Sequence, residues 1–325
     1  MQLHKEAAEQ MNLYGKKGIP FVFIIDFECK KPLVFKLDEA YKKNILFEIN
    51  GLKNFESPKI NTKKLQFTKS PINYSEYHQA FNNALKEIRL GNSYLLNLTF
   101  QTPVKTNLPL KDIFFRSESK YKLFFKDKFV VFSPETFVQI ENNKISTFPM
   151  KGTINAKIKD AQKVILKDQK ELAEHNTVVD LLRNDLNMVA ERVKVEKFRF
   201  VDRIKTNQGE LLQVSSKISG DLNNNWKENI GDILLTLLPA GSICGAPKKK
   251  TVEIIKKIEN YRRGYYTGVF GLFDGKIFDS CVMIRFIEKD NKGKMYFKSG
   301  GGITIFSDPK KEYKELIDKI YVPAI

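Results

Sequence analysis

Cysteine is scarce in this chain of 325 residues, occurring only as Cys29, Cys244 and Cys281. The three are far apart, odd in number and form no C-x-x-C pair. Histidine is as rare, with three residues, so a zinc site built from Cys and His is not expected. Long apolar runs are missing too. None reaches the ~18 residues that a membrane-spanning helix needs, and Met1-Gln2-Leu3-His4-Lys5-Glu6 has no apolar stretch of the signal-peptide kind. The expectation is a cytoplasmic protein with no membrane partner. Acidic residues fall short of basic ones, 38 against 55, which leaves a net charge of +17. Such an excess can serve nucleic-acid binding. Here only nine of the basic residues are arginine, and the lysines are spread along the chain with no interleaved base-stacking motif. We read them as a solvated surface that can also attract an anionic substrate, and expect no nucleic acid.

What is present is a globular composition, 42% hydrophobic, in a chain long enough to bury a large core. Thr136 to Ile140 has the β-branched and aromatic content of a strand, Ile145 to Phe148 reads as its return, and Glu141-Asn142-Asn143-Lys144 supplies the turn. With the fold-back near Asn143, Glu135 and Lys151 should emerge together at the open end of one hairpin. An acid and an amine so placed suit proton transfer and nucleophilic attack. The plainer reading is a surface ion pair.

Strands are also expected at Phe21–Asp26, Leu33–Phe35, Ile45–Ile49, Ser93–Thr102, Val193–Phe200, Leu211–Ser219, Tyr266–Asp274, Ile277–Glu288 and Met295–Lys298. Gly300-Gly301-Gly302 should then interrupt the sheet. Helices are expected over Tyr74–Leu90, Asp160–Leu186 and Ile230–Leu238, after Pro247, and from Pro309 to about Ile320. Strands come in runs, without strict βαβ alternation, which points to an α+β fold with large antiparallel sheets. Residues 1–70 read as a strand-rich N-terminal region packed on the same core, and 71–325 as the catalytic domain. Glu171 and Glu174 share one helix face at i, i+3 spacing, and Glu312 and Glu315 repeat the pattern. Taken alone, such pairs are ordinary solvated helix surface.

Several stretches, in order, resemble the chorismate-utilising enzymes: Ser133-Pro134-Glu135-Thr136-Phe137, Pro149-Met150-Lys151-Gly152-Thr153, Glu171-Leu172-Ala173-Glu174-His175 and Asp180-Leu181-Leu182-Arg183-Asn184-Asp185. Pro239 to Lys248, Tyr266-Thr267-Gly268, Ile284-Arg285 and Gly300-Gly301-Gly302-Ile303 continue the match, which spans about residues 75 to 325. The resemblance is strongest to the branch that makes 4-amino-4-deoxychorismate, the folate-pathway relatives of anthranilate synthase component I. It implies large antiparallel sheets packed face to face with helices outside. It also implies that the Lys151 amine attacks ring carbon C2 of chorismate as the C4 hydroxyl leaves. Ammonia then adds at C4 and expels the lysine. Lys151 must be neutral to attack, which calls for burial or a nearby positive charge. Glu135 suits the acid that protonates the departing hydroxyl.

Four glutamates facing one another repel unless a hard cation sits among them, and Mg²⁺ suits oxygen ligands of this kind. By resemblance Glu174 and Glu315 bind it directly, with Glu171 and Glu312 behind. Arg285, read as pointing inward from a strand with Cys281, Met283 and Ile287, suits a substrate carboxylate or, failing that, one of the protein's own. Tyr266, Gly268 and Thr153 join it in the substrate site by resemblance. Gly300, Gly301 and Gly302 would let backbone N–H groups approach the ring carboxylate, and Lys248 would add charge. In anthranilate-forming relatives a small residue, typically alanine, stands at the position of Lys151. Leu212 stands where the family usually has a histidine, and Leu95 where water-adding relatives have a lysine base, so pyruvate elimination and water addition are disfavoured. No glutaminase is legible, so ammonia is expected from a separate glutamine amidotransferase subunit or from free ammonium. Anthranilate formation and a non-catalytic basic binding protein are the alternatives.

Overall fold

The computed structural model describes residues 2–56, 58, 63–206 and 209–323. Among the described residues are two nine-stranded sheets. The first runs, by strand, Met150–Asn155, Gly209–Asp221, Lys144–Thr147, Thr136–Glu141, Phe278–Val282, Val269–Phe273, Phe21–Ile25, Leu33–Lys36, with Glu191–Thr206 paired to Gly209–Asp221. The second runs Gly245–Ala246, Leu95–Thr106, Met295–Ile303, Phe286–Lys289, Phe129–Ser133, Tyr121–Phe125, Ile45–Ile49, Leu52–Lys53, with Phe67–Lys69 paired to Leu95–Thr106. The ladders are antiparallel, as expected.

Period-two alternation explains how the sheets stack. Val22 and Ile24 join Phe47, Leu123, Phe125 and Phe286 in a core shared by both sheets. Their neighbours Phe21, Phe23 and Ile25 face the other way, into a core that takes in residues of the helices Tyr74–Arg89, Gln169–Asn187 and Ile230–Leu237. The outer face of the second sheet is covered by Leu110, Ile113 and Phe114 of the helix Leu110–Arg116. Sheets face each other and helices lie outside. No described helix is long and apolar enough to cross a membrane.

Four readings of the sequence change. Residues 2–16 form a helix, which the N-terminal strand reading lacked. Asn12 ties it to the helix Ile230–Leu237 through the Gly231 N–H and Asp232, each at 2.7 Å. The helix expected over 160–186 is two, Ala161–Lys167 and Gln169–Asn187, parted at Asp168. The triple glycine does not break its strand: Gly300, Gly301 and Gly302 pair with Thr99, Leu98 and Asn97. Most consequential, the strand read over 277–288 is two strands in different sheets, Phe278–Val282 in the first and Phe286–Lys289 in the second.

The chain therefore crosses between sheets at 283–285, with Arg285 at φ 54°. It crosses in the opposite direction between Ser133 and Thr136, through Pro134-Glu135. The two crossings lie side by side: the Val282 N–H donates to the Glu135 carbonyl and the Phe132 N–H to the Arg285 carbonyl, both at 3.1 Å.

Candidate active site

The crossings open onto a cavity of about 700 Å³. Of the residues singled out in the sequence, Glu135, Lys151, Thr153, Glu171, Glu174, Tyr266, Arg285, Gly300, Gly301, Gly302 and Glu315 line it. Gly268, Lys248 and Glu312 do not. A Cβ on Gly268 would fall 2.1 Å from the Ile25 carbonyl oxygen, so this glycine serves the packing of two backbones. Lys248 is held elsewhere, 2.8 Å from Asp185 and donating to the Leu237 carbonyl, and cannot offer its charge to a ligand here. Glu312 lies just behind the wall, its Oε2 3.5 Å from where a Cβ on Gly301 would stand.

Asn142 and Asn143 adopt φ 50° and 59° and make the turn of the hairpin, with Ile145 opposite Ile140 and Ser146 opposite Gln139. The simple hairpin does not extend to Glu135 and Lys151. Lys144–Thr147 already pairs on its other side with the strand Gly209–Asp221, and beyond Phe148-Pro149 the chain keeps that partner, with Met150 facing Ser215. Lys151 thus reaches the cavity from a different ladder, and its partner is Glu174 Oε2, at 2.6 Å. Burial pulls the Lys151 pKa down, but Glu174, Glu315 and Glu171 outweigh it and the net shift is upward. This reverses the expected depression: as it stands, Lys151 is an ammonium.

Glu135 lines the cavity beside Arg285. Burial raises its pKa, against the Ser242 hydrogen bond and the charges of Arg285 and Lys319. Ser242 Oγ–H donates to its Oε1 at 2.5 Å. Arg285 lies in the crossing rather than in a strand, so its inward direction comes from the bend and not from alternation. Its guanidinium stacks over the Tyr321 ring at 5.3 Å and donates to the Tyr321 hydroxyl at 3.4 Å. Among the described residues no carboxylate pairs with it, which leaves the fork free for an anion. Tyr266 and Thr267 occupy turns, since their strand begins only at Val269.

Among the wall residues that sequence reading missed, three bear on the groups above. Lys319 Nζ donates to the Gly300 carbonyl at 2.9 Å and pairs with Glu315 at 2.7 Å; its i+4 spacing from Glu315 was the available signal. Ser242 lay inside a motif already noted. The third is Gln213. In the strand Gly209–Asp221, Leu211 and Gln213 line the cavity, whereas Leu212 is 6% exposed and does not. A one-residue offset on a strand changes the face. Gln213 donates to the Gly152 carbonyl at 3.2 Å, next to Lys151, and like leucine it is no proton shuttle. Leu95 does face the cavity.

The glutamates can be tested as a cation site by their partners. Lys170 Nζ bridges Glu174 at 3.4 Å and Glu312 at 3.5 Å, so the two glutamate helices converge on one place. Burial raises the pKa of both Glu171 and Glu312, with Lys151 and Lys170 opposing it. Glu174 Oε1 is buried without a hydrogen-bond partner. Among the described residues no three such groups stand close enough to form a ready cage, and lysine ammonium groups balance the acids instead. The donors are hard oxygens around positive charge, and in kind they fit Mg²⁺.

A family model described as chorismate binding enzyme matches residues 10–324. An uncharacterised PabA-like protein of Haemophilus influenzae is 54% identical over 316 residues, 97% of this chain and 95% of its own length. Aminodeoxychorismate synthase component 1 of Salmonella typhimurium is 35% identical over 198 residues, 58% of this chain and 42% of that protein. Among solved structures, anthranilate synthase component I from Streptococcus pneumoniae superposes with a TM-score of 0.68 at 27% identity. That match covers 82% of this chain and 60% of the other.

Proposed function

The chain belongs to the chorismate binding enzyme family, and on that premise we propose that it is component I of an aminodeoxychorismate synthase. It converts chorismate and ammonia to 4-amino-4-deoxychorismate, the precursor of 4-aminobenzoate in folate biosynthesis. The observation that carries this reading is the Lys151 amine inside the cavity, at a position where anthranilate-forming relatives have a small residue.

Arg285, with no carboxylate partner among the described residues, takes one substrate carboxylate through its fork, with Tyr266 beside it. Lys151 is unreactive while its proton is held by Glu174, and positive charge brought to the glutamates weakens that hold. Mg²⁺ carried by Glu174 and Glu315, with Glu171 and Glu312 behind, would supply such charge and an electrostatic partner for the other carboxylate. Lys151 first gives up its proton to solvent in the open cavity; the neutral amine then bonds to C2, the ring double bonds shift, and the C4–O bond breaks. Glu135, whose pKa burial raises, gives its proton to the hydroxyl, which departs as water. Ammonia bonds to C4, the double bonds shift back, and the C2–N bond breaks with its electron pair returning to Lys151. The proton shed by the new ammonium restores Glu135. Ammonia comes from a separate glutamine amidotransferase subunit in the cytoplasm.

The test is product identification with chorismate, Mg²⁺ and ammonium. Wild type should yield a product that a lyase converts to 4-aminobenzoate, and Lys151→Ala should lose or redirect it. Fluorescent anthranilate from the wild type would assign the other branch. Amination by Lys151→Ala at the wild-type rate would remove the covalent step.

A further inference from the structure

The strand Leu95–Thr106 turns Leu95 and Asn97 toward the cavity, while Leu96 and Leu98 face the core. Asn97 is held firmly. Its carbonyl accepts from Arg263 Nη2 at 2.6 Å, and it pairs across the ladder with Gly302. Arg263 is itself buried and locked to Glu259 at 2.6 Å. Among the described residues, the Asn97 side-chain Oδ1 is buried with no hydrogen-bond partner. Of the buried side-chain atoms so left among the described residues, only those of Asn97 and Glu174 belong to cavity-lining residues. Glu174 is charged and faces lysines. Asn97 offers the neutral acceptor.

That difference matters for the second reactant. Ammonia has three N–H donors and one lone pair, and it reacts only while the lone pair is free. A carboxylate beside it favours ammonium and removes the nucleophile, whereas an amide oxygen accepts an N–H without stabilising the charged form to that degree. We propose that Asn97 Oδ1 binds the incoming ammonia and aims its lone pair at the ring. The inference rests on the reading that ammonia adds to chorismate here. In the step it serves, the lone pair forms the C4–N bond, the C2–N bond to Lys151 breaks, and the surplus proton goes to Glu135.

The experiment varies ammonium at saturating chorismate, with chorismate varied separately. Asn97→Ala should raise the KM for ammonia at least tenfold and leave the KM for chorismate within twofold. Asn97→Asp keeps the shape and the acceptor but adds charge, and should move the ammonia-dependent rate profile to higher pH. Circular dichroism and thermal melting of both variants report folding, and Asn97→Ser, a smaller acceptor, should restore part of the ammonia affinity lost in Asn97→Ala. An unchanged ammonia KM in Asn97→Ala and Asn97→Asp overturns the inference alone. So does an equal rise in both KM values, which would place Asn97 on the ring. A wild type that makes no aminodeoxychorismate from ammonium overturns the functional reading and this one with it.

Discussion

Glu135 and Lys151 show how the same cavity acts oppositely on two groups. For Glu135 burial outweighs the neighbouring charges and pushes its pKa up, so it keeps its proton to higher pH than an ordinary carboxyl. An acid that must donate loses function as pH climbs through its pKa, so the rate should fall on the alkaline side. Glu135→Gln should lower kcat by about 10²–10⁴ and abolish that limb, as a pH–rate profile would show. Lys151 meets three carboxylates, which override burial. The thiols are different again. Burial lifts Cys29 to about 12 and Cys244 to about 11, so both remain thiols at neutral pH. Native protein should resist iodoacetamide at pH 8 and react only after unfolding, which peptide mass mapping can follow.

At the level of elements, the two helices that carry the glutamates start alike. Asp168 accepts the Glu171 N–H at 3.0 Å, and Asp308 accepts the Lys311 N–H at 2.9 Å. These caps set where each helix begins, and so the direction in which its i, i+3 pair points. Asp168→Ala or Asp308→Ala should each cost about 1 kcal/mol, measurable as a lower urea midpoint. The cap at Asp308 was legible because an N-cap is a matter of three or four consecutive residues, whereas the cap at Asp168 lay inside a run that reads as one helix. The crossing at 283–285 was not legible either. Met283 and Ile284 are as apolar as a strand, and only the second sheet, pairing Phe286 with Val131 and Lys298, takes the chain out of the first.

Across the whole molecule, one buried cluster joins the walls of the cavity. Glu259 accepts from the Thr99 N–H and hydroxyl, while Arg263 donates to the carbonyls of Asn97 and Ile243. Lys298 reaches the Arg263 carbonyl at 2.9 Å. Strand, short helix and turn are thereby held at fixed separation around the ligand space. Arg263→Ala leaves Glu259 charged and unpaired and should cost roughly 3–5 kcal/mol. Replacing both partners, as in Glu259→Leu with Arg263→Met, should cost less than the sum of the two single changes. Chemical denaturation of the four-member cycle measures this coupling.

By itself the sequence determined the order of the motifs, the antiparallel α+β class, the paired glutamates, the turn at Asn142-Asn143 and the start of the last helix. Each depends on rules that act over a few neighbouring residues: turn dihedrals, caps, strand alternation and helical spacing. The tertiary structure alone decided which charges meet. It gave Lys151 to Glu174 and Lys248 to Asp185, left Arg285 without an acid among the described residues, and put Gln213 rather than Leu212 at the cavity. Such pairings join residues distant in sequence, and packing chooses among them, because a charge removed from water takes whichever partner the fold brings within reach.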